Sequence, residues 1–176
     1  MRLEGTHTLA APLQEVWNKL LDPAVLARTT PGIDKLEADG KDKYNATFMI
    51  KMGPVKGSFA GTLEVRDQLE PESFAVSMVV NGKQGYVAAE GKLALRAIAD
   101  TETEVQFSGD AKITGLLART GQRVLQGVAN TLTRQFFQAL EQEFSPLSSL
   151  AESKTTLIDR IKSKISKPPS GSAPSE

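Results

Sequence analysis

Residues 44–113 alternate apolar and polar side chains with a period of two over almost their whole length, the signature of β-strands covered on one face. Tyr44, Ala46, Phe48, Ile50 and Met52 alternate with Asn45, Thr47, Met49 and Lys51, and Gly53 and Pro54 then break the run as a turn would. Val55, Gly57, Phe59, Gly61, Leu63 and Val65 form a second inner set, and Phe74, Val76, Met78 and Val80 a third. Asn81 and Gly82 read as a hairpin turn, because both tolerate positive φ. Val87, Ala89, Gly91, Leu93 and Leu95 form a fourth set, and Val105, Phe107, Gly109, Ala111 and Ile113 a fifth. The pattern predicts an antiparallel sheet, packed on one side and wet on the other.

The cover for that sheet is written on either side of it. Pro12, followed by Val16, Trp17 and Leu20, predicts a short helix, and Asp22 with Pro23 reads as the cap and start of another. Over residues 116–144 the period changes to about 3.6, with Leu117, Gly121, Val124, Val128, Leu132, Phe136 and Leu140 on one stripe. Such a helix would be roughly 40 Å long. Ten-residue strands reach only about 33 Å, so the sheet must curl around the helix rather than lie flat. The expected order is a strand, two short helices, six strands and one long helix, an α+β domain over residues 1–145.

Residues 146–176 read as a tail. Leu157, Ile158, Ile161 and Ile165 share a helical face flanked by Lys154, Arg160, Lys162, Lys164 and Lys167. This basic amphipathic segment, residues 154–166, fits an anionic membrane surface, a partner protein, or a frayed helix that only keeps the terminus soluble. Beyond Lys167 the Ser/Pro-rich end has nothing to bury and is expected to be disordered.

Composition removes several function classes. With no cysteine and a single histidine, thiolate metal sites, disulfides, iron–sulfur ligation and a cysteine nucleophile are excluded, and no metal site is expected. Lysine and arginine total 21 against 21 acids, so no whole-molecule field would gather nucleic acid. No dinucleotide or phosphate loop and no nucleophile elbow occurs. Residues 1–5 lack the apolar core of a secretory signal, and no stretch approaches the roughly 20 apolar residues of a membrane span. The expected address is cytoplasmic, at most peripheral to the inner face of the membrane.

Small residues punctuate the inner face at Ala46, Gly57, Gly61, Ala89, Gly91 and Gly109. They either leave volume between sheet and helix or let backbones approach and the sheet bend. If volume remains, its expected lining is His7, Phe48, Ile50, Met52, Phe59, Gly61, Leu63, Phe74, Met78, Gly91, Phe107, Val124 and Val128. Such walls suit a flat or extended apolar ligand, a quinone or an isoprenoid lipid, with no tightly bound cofactor. His7 has inward parity on the first strand, where it is either a donor to a ligand carbonyl or a strand-end histidine satisfied by backbone or water. No carboxylate of matching inward parity stands beside it, so no catalytic residue is assigned.

Thr30, Pro31, Gly32 and Ile33; Gly53, Pro54, Val55, Lys56 and Gly57 with Phe59 and Gly61; residues 85–91; and Thr114, Gly115, Leu116, Leu117 and Ala118 leading to Gly121, Gln122 and Arg123 occur in a specific order and spacing. Together they resemble the CoxG family of carbon monoxide dehydrogenase proteins over about residues 1–144. The resemblance implies a START-like, helix-grip (SRPBCC) fold, in which a curved antiparallel sheet of six to seven strands grips a long carboxy-terminal helix around a cavity. It also implies an accessory role beside a molybdenum-containing dehydrogenase of the carbon monoxide dehydrogenase type. That role could be a ligand carrier or an adaptor recruiting the enzyme to the membrane. Related folds also house cyclases and hydrolases.

Overall fold

A computed structural model describes residues 1–144. The chain forms β1 (Arg2–Leu9), α1 (Leu13–Leu20), α2 (Pro23–Thr29), β2 (Ile33–Ala38), β3 (Lys43–Met52), β4 (Val55–Leu69), β5 (Ser73–Gly82), β6 (Gly85–Ala99), β7 (Glu102–Thr114), α3 (Leu116–Arg119) and α4 (Gln122–Glu143). Its seven strands make one antiparallel sheet in the order β1-β7-β6-β5-β4-β3-β2, leaving β1 and β2 as the edges. The strand–helix–helix–strands–helix order expected from periodicity is the observed one. The tail residues, with Lys154, Leu157, Ile158, Arg160, Ile161, Lys162, Lys164 and Ile165, lie outside the described residues.

Local chemistry accounts for the element boundaries. Asp22 caps α2, its carboxylate accepting from the Ala24 N–H at 2.9 Å, with Pro23 at the first helical position. The β5–β6 turn falls two residues later than expected, on Lys83 and Gln84, because Gly82 still pairs with Gly85. The residue with left-handed backbone is Gly85, at φ 147°, where a side chain would strike the carbonyl of Thr114. The helix expected over residues 116–144 is divided. Gly115 (φ 83°) and Gly121 (φ 99°) bound a four-residue α3, and α4 restarts at Gln122 for 22 residues, about 33 Å.

The interior has two separate centres. Leu9, Val16, Trp17, Leu20, Val25, Phe74, Leu95, Val105, Phe137 and Leu140 pack at the end where α1, α2 and the last turns of α4 meet the sheet. Trp17 sits edge-on to Phe74 with ring centroids 5.6 Å apart. Ala46, Phe48, Val55, Phe59, Val80 and Leu117 pack at the other end, beneath α3 and the first turns of α4. Burying each large side chain contributes about 1.5–3 kcal/mol, so each centre holds its own end of the helix layer onto the sheet.

The helices are also tied to one another. Glu143, near the end of α4, accepts two hydrogen bonds of 3.0 Å from Arg28 of α2 and lies 3.7 Å from Lys19 of α1. The Arg28 guanidinium, foremost, and the Lys19 ammonium hold the Glu143 carboxyl below its ordinary value. A carboxyl with a lowered folded pKa stabilises the fold above its unfolded pKa, and that contribution is lost as pH falls through the folded value. Replacing Glu143 with Gln is therefore expected to cost about 1 kcal/mol at neutral pH. The difference between the two proteins, read by denaturant titration, should shrink steadily once pH drops below about 4.5, the unperturbed value.

Candidate functional site

Between the two packed centres the inner face of the sheet is only partly buried. Leu63 of β4, Val76 and Met78 of β5, Ala89 and Leu93 of β6 and Ala111 of β7 point toward the helix layer yet remain half-exposed. Their strands are central, so the exposure does not come from a sheet edge; Val76 and Leu93 pack against the first centre and Met78 against the second. Gly91 and Gly109 pair directly across β6 and β7 in the middle of this region. A Cβ at Gly109 would come 2.8 Å from the Glu90 carbonyl oxygen and 3.2 Å from the Gly91 Cα, so glycine there lets β6 and β7 approach closely.

Each glycine on that face has its own reason. A Cβ at Gly61 would collide with the carbonyl of Val79 and come 2.7 Å from the Val80 Cα, so glycine there permits close approach of β4 and β5. Of the two readings of an inner-face glycine, Gly61 fits close backbone approach. At Gly91 the nearest atoms to an added Cβ are the Ser108 oxygen at 3.3 Å and the Gly109 Cα at 3.8 Å. A methyl group there is tight against one backbone oxygen but needs only a few tenths of an ångström of adjustment.

The other expected lining residues divide among several places. Phe48 and Phe59 are buried in the second packed centre, with Ile50, Met78 and Val128 on its flank. Phe74 is buried against Trp17 in the first centre and is core. Met52 is half-buried beside the β3–β4 turn. Val124 does not join the others: it is 41% exposed on the outer side of α4. Val124 and Leu140 belong to the same unbroken helix but point about 160° apart at 3.6 residues per turn, so a stripe stepped by four residues drifts off the buried face before it reaches Val124. Leu125, Phe137 and Leu140 carry the inward stripe with Val128 and Phe136.

A groove of about 380 Å³ opens beside this region, between the edge strand β1 and α4. Leu3, His7, Phe107 and Phe137 give it apolar walls, and Asn130, Thr133, Arg134, Gln138 and Glu141 a polar rim. Its volume falls within the range of small-molecule sites. His7 stacks on Phe137 with centroids 4.7 Å apart, and its Nε2 lies 2.5 Å from Oε1 of Glu141. With Nε2 engaged, Nδ1 makes no hydrogen bond among the described residues and is available to a ligand. The imidazole is 28% exposed, at the mouth rather than the centre of the interior.

Reading strand parity alone misses the Glu141 carboxylate, which comes from α4, 134 residues away. The available signal is an acid one turn beyond the Phe137 position on the helix. A second depression, of about 360 Å³, lies on the convex face among Arg66, Glu90, Lys92 and Asp110. It is an open, mixed-charge surface. Among the described residues no group of three or more potential ligands could hold a metal, and no helix is long and apolar enough to cross a membrane.

Comparison with known proteins agrees with the architecture. A family model for the carbon monoxide dehydrogenase protein CoxG matches residues 5–145. A conserved protein from Geobacillus kaustophilus is 35% identical, with 81% of this chain and 94% of that chain covered and a TM-score of 0.79. A START superfamily protein from Mycobacterium smegmatis shares 13% identity, over 81% of this chain and 95% of that chain, with a TM-score of 0.63. The Zhui aromatase/cyclase from Streptomyces sp. R1128 has 15% identity, over 81% and 92% of the two chains, with a TM-score of 0.63. Those last two establish the START-like fold alone. No curated protein matches.

The two inner glycines should separate experimentally. Gly61→Ala is expected to destabilise by about 3 kcal/mol, because backbone must move to admit the methyl group. Gly91→Ala should stay within about 1 kcal/mol of the parent, since only a small adjustment is needed. Thermal unfolding of both proteins checks this; equal losses would mean that Gly91 is held by packing as Gly61 is.

Proposed function

The chain belongs to the CoxG family of carbon monoxide dehydrogenase proteins, and from that premise we propose that it carries an apolar small molecule between its sheet and α4. The observation that supports this most directly is the partly buried stretch of inner face between two packed cores. Apolar walls without fixed charges favour a ligand that water rejects, because its burial releases solvent from both surfaces. A quinone or an isoprenoid lipid has the required flat or extended shape. The family's name points to the recipient: a molybdenum-containing dehydrogenase of the carbon monoxide dehydrogenase type, which the protein serves as an accessory at the membrane.

Within this reading the β1–α4 groove receives the polar end of the ligand. His7 is steered by Glu141 and by the Phe137 ring, so Nδ1 can meet a ligand oxygen without reorganising. With Nε2–H donated to the carboxylate, Nδ1 is an acceptor for a ligand hydroxyl such as that of a quinol. Removing His7 should weaken binding of a quinol by about fivefold to tenfold, equivalent to one net hydrogen bond.

A second reading, an enzyme working at the groove, draws on the same His7–Glu141 pair, since an oriented imidazole is an acid–base catalyst. The two differ in what becomes of the ligand. A carrier returns it unaltered, so menaquinone incubated with the protein and extracted should keep its mass.

The decisive experiment is mass spectrometry of the organic extract of natively purified protein. Apolar compound approaching one equivalent is expected from the parent protein. Gly91→Leu, which fills the middle of the inner face, should reduce it at least tenfold while the unfolding midpoint changes little. Parent protein that stays empty after incubation with quinones and lipids would sink the carrier reading.

A further inference from the structure

The balanced charge of the whole chain conceals a separation along the strand axis. At one end of the sheet lie the β3–β4 turn, the β5–β6 turn, α3 and the start of α4. They are held together by register and by the Leu117 N–H, which donates to the Gln84 carbonyl at 2.8 Å. Lys51, Lys56, Lys83, Lys112, Arg119 and Arg123 all project there, and all are exposed. None makes an ion pair among the described residues. Residues 43–63, 73–89 and 111–140, which run through this end, contain no Asp or Glu; Asp34 stands on the edge strand β2, at the irregularity opposite Thr47 and Phe48. The opposite turns carry Asp67, Glu70 and Glu72 on one hairpin and Asp100, Glu102 and Glu104 on the other.

Unpaired cations gathered in this way weaken the fold slightly. Lys51 and Lys56 even stand directly opposite each other across β3 and β4, where like charges repel. Among them, apolar side chains stand clear of the surface: Leu116 is 58% exposed and Val124 41%, flanking Arg119 and Arg123 along the α3–α4 junction. A single exposed leucine needs no explanation. Exposed aliphatic groups set within a ring of cations have the composition of a surface that meets anionic headgroups and reaches the acyl boundary beneath.

We propose that this end of the domain is the face the protein lays on an anionic bilayer. The cations supply attraction to phosphate-bearing headgroups, and Leu116 and Val124 supply shallow insertion. An acidic protein surface would satisfy the lysines and arginines but would have to match the projecting aliphatic groups as well. The assignment rests on charge placement; it deepens the carrier reading, because a ligand rejected by water must be collected from lipid.

Flotation of the full chain with phosphatidylcholine vesicles, with and without phosphatidylglycerol, tests it. Binding should require phosphatidylglycerol and fall as salt is raised. The triple variant Lys83→Gln, Arg119→Gln, Arg123→Gln should partition on the order of 100-fold less, about fivefold per charge. Leu116→Ser should weaken binding with the charge intact, and the pair Lys51→Gln, Lys56→Gln offers an independent check on the other turn. Equal binding to neutral vesicles overturns the proposal. So does loss of binding only in Lys162→Gln, Lys164→Gln, which would move the contact to the tail. No flotation of the parent chain overturns it in favour of an acidic protein partner. Solvent extracts of the same variants keep the two ideas apart, since docking can fail with ligand content unchanged, and the reverse.

Discussion

One helix cannot cover seven strands. Neighbouring strands are about 4.8 Å apart, so the flat sheet would be roughly 29 Å wide, whereas a helix with its side chains is about 10 Å across. The chain meets this mismatch by coiling the sheet and by placing the short helices α1 and α2 beside the last turns of α4. Even so, packed interior forms only at the two ends. The opening between them follows from the ratio of sheet width to helix width. A chain with this element order must either leave that gap or fill it with bulky inner side chains, and here Ala89, Gly91, Gly109 and Ala111 stand there among Leu63, Val76, Met78 and Leu93.

The polar features surround the opening rather than occupy it. Fixed charge in the interior would cost far more than it returned unless paired, and the sequence places none there. His7 and Glu141 sit where β1 ends the sheet and water reaches, so their contact forms in a semi-exposed setting. Stacking on Phe137 gives the imidazole one orientation. Such an arrangement separates two tasks. Shape and apolarity hold the body of a guest, while one directed nitrogen distinguishes its oxygen-bearing end.

The strands are legible because side-chain alternation depends on nearest neighbours in sequence, and the cap at Asp22 and Pro23 for the same reason. What cannot be read depends on residues meeting from far apart. Val124 has inward phase on paper only because a stripe stepped by four residues gains about 40° at each step, and over the length of α4 that drift carries Val124 off the face that holds Leu140. The turn after β5 is expected two residues early because Asn81 and Gly82 suit a hairpin locally, while Gly85 is required by the approach of Thr114 from β7. Gly61 and Gly91 look alike in a strand; only the neighbouring backbone distinguishes a position that must be glycine from one that merely is. The Glu141 partner of His7 and the sorting of charge toward opposite ends are likewise products of topology. A count of 21 against 21 reports neither.

That sorting has a dynamic consequence. A neutral body is not drawn from afar by a charged plane, so its frequency of encounter is set by diffusion. Separated charge nevertheless experiences a torque within a Debye length of the plane, about 8 Å in physiological salt. The molecule would therefore rotate during its final approach, and collisions that begin broadside would be converted into end-on ones. Productive orientation would be selected in the last nanometre, with no long-range attraction to trap the protein on every acidic surface it passes.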